Sequence, residues 1–132
     1  MPIMRHADVP LYQRRPGYQA RRLISKEDGA ASTYVGLSYV QPGSGAPSHT
    51  HPVEETLVVL KGRAHVWMGE EECDLGPETT ILVPAGVVHG FRSSGPDPLV
   101  LLTFLPINEF LVHPVDDRRG AEFIPPPDAV LV

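Results

Sequence analysis

Three side chains able to bind a metal ion, His49, His51 and Glu55, lie between Gly43 and Gly62 at offsets of two and four residues. An extended chain alternates its side chains between two faces, so positions i, i+2 and i+6 share a face and can converge on one point. Imidazole and carboxylate together suit first-row divalent ions such as iron, manganese, nickel, copper and zinc. A further ligand has to come from elsewhere. His89 is the candidate, closing the run Pro84-Ala85-Gly86-Val87-Val88-His89 after the apolar stretch Thr80-Ile81-Leu82-Val83. A carboxylate buried beside three histidines is disfavoured by several kcal/mol unless a cation compensates it, so the quartet argues for an ion. Four protein donors leave roughly two positions of an octahedral ion open for water, substrate or dioxygen.

The elements that must deliver these groups read as short strands. Ser32 to Val40 alternates into a strand, and Gln41 to Pro47 is a turn leading to the histidines. Thr56 to Leu60 continues the strand, Lys61-Gly62 turns it back, and Arg63 to Met68 is its hairpin partner. Gly69 to Glu72 reads as a charged turn and Cys73 to Leu75 as a short strand before Gly76-Pro77-Glu78. A loop at Ser94 to Pro98 precedes a strongly apolar strand, Leu99 to Leu105. Pro84 and Gly86 set the turn that presents His89. Such spacings predict an all-β sandwich or barrel, of which the jelly roll encloses an interior pocket.

The run Gly43, five residues, His49, one, His51, three, Glu55, six, Gly62 resembles the first motif of the cupins, with every motif residue present. The second cupin motif reads Gly, five residues, Pro, one, Gly, two, His, three, Asn. Here Pro84, Gly86 and His89 fit, Glu78 stands at the first glycine and Ser93 at the asparagine, and Gly76 is expected to take over the turn. The two motifs cover Gly43 to Ser93. The resemblance implies an all-β double-stranded β-helix, or jelly-roll barrel, holding one divalent ion per chain (Fe, Mn, Ni, Cu or Zn) on His49, His51, Glu55 and His89. It also implies a homodimer and a small-molecule substrate. The first functional expectation is a dioxygenase in which a substrate with paired oxygens chelates the ion and Glu55 accepts a proton. The alternatives are a non-redox isomerase, lyase or cyclase, and a ligand-binding cupin without catalysis.

At 132 residues the chain fits one domain, and its 12 Gly and 15 Pro suit strands joined by tight turns rather than long helices. The expected organisation is an N-terminal arm with one or two strands over 1–31, the barrel over 32–107, and an extended tail over 108–132. That tail contains Pro125-Pro126-Pro127 and apolar Ala129 to Val132, and is expected to dock on the barrel or a partner subunit. A net charge of -5 and a pI near 5.6 argue against nucleic acid as a partner, and the one small basic cluster, Arg14-Arg15 with Arg21-Arg22, reads as solvated surface. One cysteine, Cys73, allows no intrachain disulfide, and no membrane-length apolar span is present, so a cytoplasmic protein that does not bind membranes is expected.

Other residues have plainer readings. His65 is expected on a packed face or pocket rim and not as a ligand, and His6 and His113 in solvated or interfacial loops. Cys73 reads as a small core residue and Glu54 as a surface carboxylate opposite Glu55. Tyr39, Val59, Phe91, Leu102 and Phe104 are the candidates for lining the pocket. The apolar strands around the site, with Val66, Leu82 and Leu101 also among the candidates, favour a small, partly hydrophobic ligand.

Overall fold

The computed structural model describes residues 1–123. Its strands, in chain order, are β1 (Leu11–Arg15), β2 (Tyr18–Ile24), β3 (Tyr34–Val40), β4 (Gly45–Thr50), β5 (Glu55–Lys61), β6 (Ala64–Met68), β7 (Glu71–Leu75), β8 (Thr79–Val83), β9 (His89–Ser93), β10 (Leu99–Leu105) and β11 (His113–Pro114). They form two antiparallel sheets, ordered β1-β2-β3-β10-β5-β8 and β11-β4-β9-β6-β7. From β4 onward the chain repeatedly crosses between the sheets, as a jelly roll does. Helical structure among the described residues is confined to three single 3₁₀ turns, and none of it is long and apolar enough to cross a membrane.

Alternation explains the core. On β5 the residues Glu55, Leu57 and Val59 are buried, while Thr56 and Val58 between them are partly accessible. The inward residues of the other strands meet them, among them Val40, Val66, Val83, Phe91, Leu99 and Leu101. Each such side chain taken out of water contributes about 1.5–3 kcal/mol. One end of this interior is packed apolar and the other carries the histidines.

Two expectations about local shape are corrected. The stretch holding His49, His51 and Glu55 is not one extended face. β4 ends at Thr50 and the chain turns through residues 52–54 into β5 of the other sheet, so Glu55 meets the histidines across the sandwich. The turn before β8 is made not by Gly76 but by Glu78, whose φ is 64°, with its amide donating to the Val59 carbonyl at 2.9 Å. Gly76 has a different role, since a Cβ there would lie 2.8 Å from the Arg63 guanidinium.

The N-terminal residues are part of the sheet, with β2 pairing along β3 from Tyr18↔Val40 to Ile24↔Val35 and β1 pairing with β2. Residues 108–123 return across the mouth of the barrel. Lys26 donates its amide to the Asn108 carbonyl, β11 pairs Pro114 with His49, and Ser48 donates to the Arg119 carbonyl. Pro125 to Pro127, the apolar end Ala129 to Val132 and the docking expected of them lie outside the described residues.

Candidate metal centre

His49 on β4 and His89 on β9 are directly paired across the strands, and their rings are 4.2 Å apart between centroids. The turn before His89 is built by Pro84 and Gly86. Val87 donates its amide back to the Pro84 carbonyl, and Gly86 takes the positive φ of 76° that such a turn requires. The Gly86 amide donates to the His51 carbonyl at 2.9 Å, joining this turn to the other ligand loop. His51, Glu55 and His89 are buried, and His49 is the most accessible of the four. One ligand atom from each lies within 4.8 Å of all the others.

Each imidazole is oriented by a backbone carbonyl. Nδ1 of His49 donates to the Pro47 carbonyl at 2.7 Å, Nδ1 of His51 to Leu111 at 2.6 Å, and Nδ1 of His89 to Val87 at 2.9 Å. In the neutral ring that bond fixes the proton on Nδ1 and leaves the Nε2 lone pair free as a donor to a metal. Two of these lone pairs face Glu55, with His89 Nε2 2.9 Å from Oε1 and His51 Nε2 3.4 Å from Oε2. His51 Nε2 is buried and has no hydrogen-bond partner. Lone pairs and a carboxylate facing one another at this range require a cation or protons between them. The donor set therefore fits a divalent ion.

Burial by itself would raise the Glu55 carboxyl, but contact with His51 and His89 outweighs it and holds the group at about 2. Burial, and then the neighbouring His89, lowers His49 to about 4. Burial also works to lower His51, yet the Glu55 carboxylate overcomes it and the imidazole is raised. The ring thus keeps a charged carboxylate and a neutral His49 at neutral pH, the forms a metal needs.

A cavity of about 100 Å³ opens beside these groups. His49, Glu55 and His89 line it, together with Leu57, Phe91, Thr103, Tyr18, Arg14, Arg15 and Phe110, while His51 sits behind them against the Phe110 ring at 5.3 Å. Of the pocket candidates, Phe91 is at the cavity. Val59 is 2% exposed and packs deeper, in the apolar end. Tyr39, Leu102 and Phe104 are corrected to the outer face of the six-stranded sheet. Tyr39 accepts there from the Arg21 guanidinium, and Phe104 is 44% exposed. Leu82, at 55% exposure, also faces out, whereas Val66 and Leu101 are core residues. His65 pairs with Asp74 at 2.9 Å, away from the quartet, and Glu54, His6 and His113 are exposed. Cys73, expected inside, is exposed because β7 is the outermost strand of its sheet.

The sequence reading missed Arg14, Arg15, Tyr18 and Phe110. Arg14-Arg15 read as solvated, but the mixed run of aromatics and arginines from Tyr12 to Tyr18 was a signal that β1 and β2 have a polar interior face.

A double-stranded β-helix with a three-histidine, one-carboxylate cluster at its open end defines a metal-binding type of jelly roll. The family model for the cupin domain matches residues 36–105, and the chain belongs to the cupins. It is 33% identical over 94 residues to Protein SchB of Streptomyces halstedii, covering 70% of this chain and 68% of that protein. It is 30% identical over 83 residues to a gentisate 1,2-dioxygenase of a Ralstonia species, covering 62% of this chain but 23% of that enzyme. Among solved structures it superposes on the polyketide cyclase RemF of Streptomyces resistomycificus with a TM-score of 0.76 and 24% identity, over 92% of this chain and 91% of that one.

Proposed function

We propose that the protein is a metal-dependent enzyme that converts a small oxygenated organic substrate through its enolate, without dioxygen. The carrying observation is the convergence of three carbonyl-oriented imidazoles and Glu55 beside a cavity the size of a small organic molecule. His49, His51, Glu55 and His89 would hold the ion. When bound, it supplies a Lewis acid that polarises substrate oxygens and acidifies the adjacent C–H. Four protein donors leave about two positions, the number that a substrate with paired oxygens takes. That count favours isomerisation, dehydration or cyclisation over a reaction that must also seat a gas.

The chain's own residues supply orientation and proton transfer. Leu57, Phe91 and Phe110 give the cavity apolar walls that exclude water, and the three backbone carbonyls keep each Nε2 aimed inward. Glu55 is the one carboxylate among the cavity's described lining residues and is the proposed proton acceptor. With its carboxyl held at about 2 it is a weak base, so it suits a proton already acidified by a neighbouring polarised carbonyl. Replacing Glu55 by Gln is expected to retain most of the metal and to lower turnover about 100-fold. Unchanged turnover would remove the base assignment.

The likeness to the gentisate 1,2-dioxygenase favours a second reading, oxidative cleavage of a substrate with paired oxygens. Turnover of diketones and catechols with and without oxygen separates the two. Product formed at the same rate under nitrogen supports the first reading, while oxygen uptake matched to product supports the second. Metal content of the wild type beside His89→Ala tests their common ground, and a wild type that takes up no divalent ion would end both.

A further inference from the structure

Consecutive residues of a regular strand point to opposite faces, yet Arg14 and Arg15 both line the cavity beside the imidazoles. The pairing of β1 with β2 shows how. Register shifts between Gln13, opposite Gln19, and Arg15, opposite Tyr18, so a bulge at Arg14 turns both side chains inward. Arg14 donates from Nη2 to the Tyr12 hydroxyl at 3.0 Å, and its guanidinium lies 4.2 Å from the centroid of the Phe110 ring. Its Nε is buried without an acceptor. Arg15 donates from Nη1 to the Gly45 carbonyl at 3.0 Å and lies over the Tyr18 ring.

Neither arginine forms an ion pair among the described residues, although the chain has 16 acidic residues and only 11 lysines and arginines. Among the described lining residues the only carboxylate is Glu55, and it is engaged by His51 and His89. Two partly buried guanidiniums with no ion-pair partner among the described residues, next to a site that fits a divalent cation, favour an anion in the cavity although the chain carries a net charge of -5. Holding such charges out of water is unfavourable unless an anion meets them. The planar forks match a carboxylate, and the cavity of about 100 Å³ holds a body of roughly one ring.

We propose that Arg14 and Arg15 form an anion-binding end of the cavity, and that the substrate is a small carboxylate whose acid group meets the guanidiniums while its other oxygens face the imidazole ring. The inference rests on the metal-dependent reading given above. A probe that separates the two ends is 3,4-dihydroxybenzoate, with a catechol pair for the ion and a remote carboxylate for the arginines, compared with uncharged 3,4-dihydroxybenzamide. Calorimetric titration of the zinc-loaded full chain is expected to show the acid binding about 10- to 100-fold more tightly than the amide. Arg14→Gln and Arg15→Gln should each remove most of that preference while zinc content and affinity for the amide stay unchanged. Equal affinity for acid and amide in the wild type, or no binding of either, would overturn the inference without any variant having to fold. Zinc retained with no preference for the acid ends this inference alone. A preference for the acid that depends on both arginines in a protein that takes up no metal keeps it and ends the metal-dependent reading.

Discussion

His51 shows how much a single side chain must satisfy at once. Its Nδ1 donates to a carbonyl 60 residues away, its Nε2 has no hydrogen-bond partner, and its ring packs on Phe110. Burial lowers His49 as it does His51, but with less carboxylate contact too little offsets it, so the two imidazoles shift in opposite directions. This contrast has a measurable consequence in protein stripped of metal by chelation. Between pH 6.5 and 4 the unfolded chain carries a proton on His49 that the folded protein does not, so stability falls as pH falls, by about 3 kcal/mol across that window. Glu55 acts lower, its stabilisation present above 4.5 and lost as pH falls toward 2. His51 is raised, so its stabilisation is full below 6.5 and lost as pH rises through the raised value. Below 6.5 the His51 contribution is constant, so urea midpoints at pH 6, 5 and 4 should decline, and a flat profile over that window would show that His49 is not held neutral. That His49, His51, Glu55 and His89 gather in one cluster was legible from residue types and motif spacing, although not by way of the single extended face that the even offsets suggested. Tyr39, Leu102 and Phe104 were placed on the wrong face because polarity is inverted near the site, where Ser38 and Thr103 face inward and Phe104 faces out.

At the scale of elements, strand existence was readable from alternation and turn residues, and β10 spans the same Leu99 to Leu105 in sequence and structure. The sheet each strand joins was not. Nothing local in Gly43 to Gly62 says that β4 and β5 lie in different sheets, because the crossing is decided by which partners pair with each strand. The bulge that turns Arg14 inward is hidden for the same reason, being a property of the β1–β2 register. The turn before β8 is a case where local chemistry and geometry disagree. Glu78 holds a φ of 64°, which costs a residue bearing a Cβ about 1–2 kcal/mol. The side chain is exposed, so Glu78→Gly removes this strain without opening a cavity, and the substitution should raise stability by up to about 1 kcal/mol after the entropy of the unfolded glycine is counted. A urea midpoint that rises with unchanged slope would bear this out. A midpoint that falls would mean that the Glu78 side chain makes a stabilising contribution larger than the backbone strain.

For the molecule as a whole, the candidate ligands are distributed so that an ion would tie both sheets to the connection between them. His49 and His89 belong to the five-stranded sheet, Glu55 to the six-stranded sheet, His51 to the connection between them, and the carbonyl that orients His51 to the segment returning after β10. Without a cation, the same center sets a buried carboxylate against imidazole lone pairs at the open end of the sandwich. A ligand that binds only the folded state stabilises it by RT ln(1 + [L]/Kd), about 2.7 kcal/mol at a hundredfold excess over Kd. For a domain of this size that is a rise in Tm of roughly 10 °C. Because the donors come from both sheets, the gain should appear as one cooperative shift of the whole unfolding transition. Scanning calorimetry of the chelated protein with and without added zinc or manganese measures it directly. His89→Ala should abolish the shift, and Arg15→Gln, which removes no candidate ligand atom, should retain it. A shift that persists in His89→Ala would locate the ion elsewhere. A loaded protein that melts in two steps would show that the sheets unfold separately, and that the center does not clamp them.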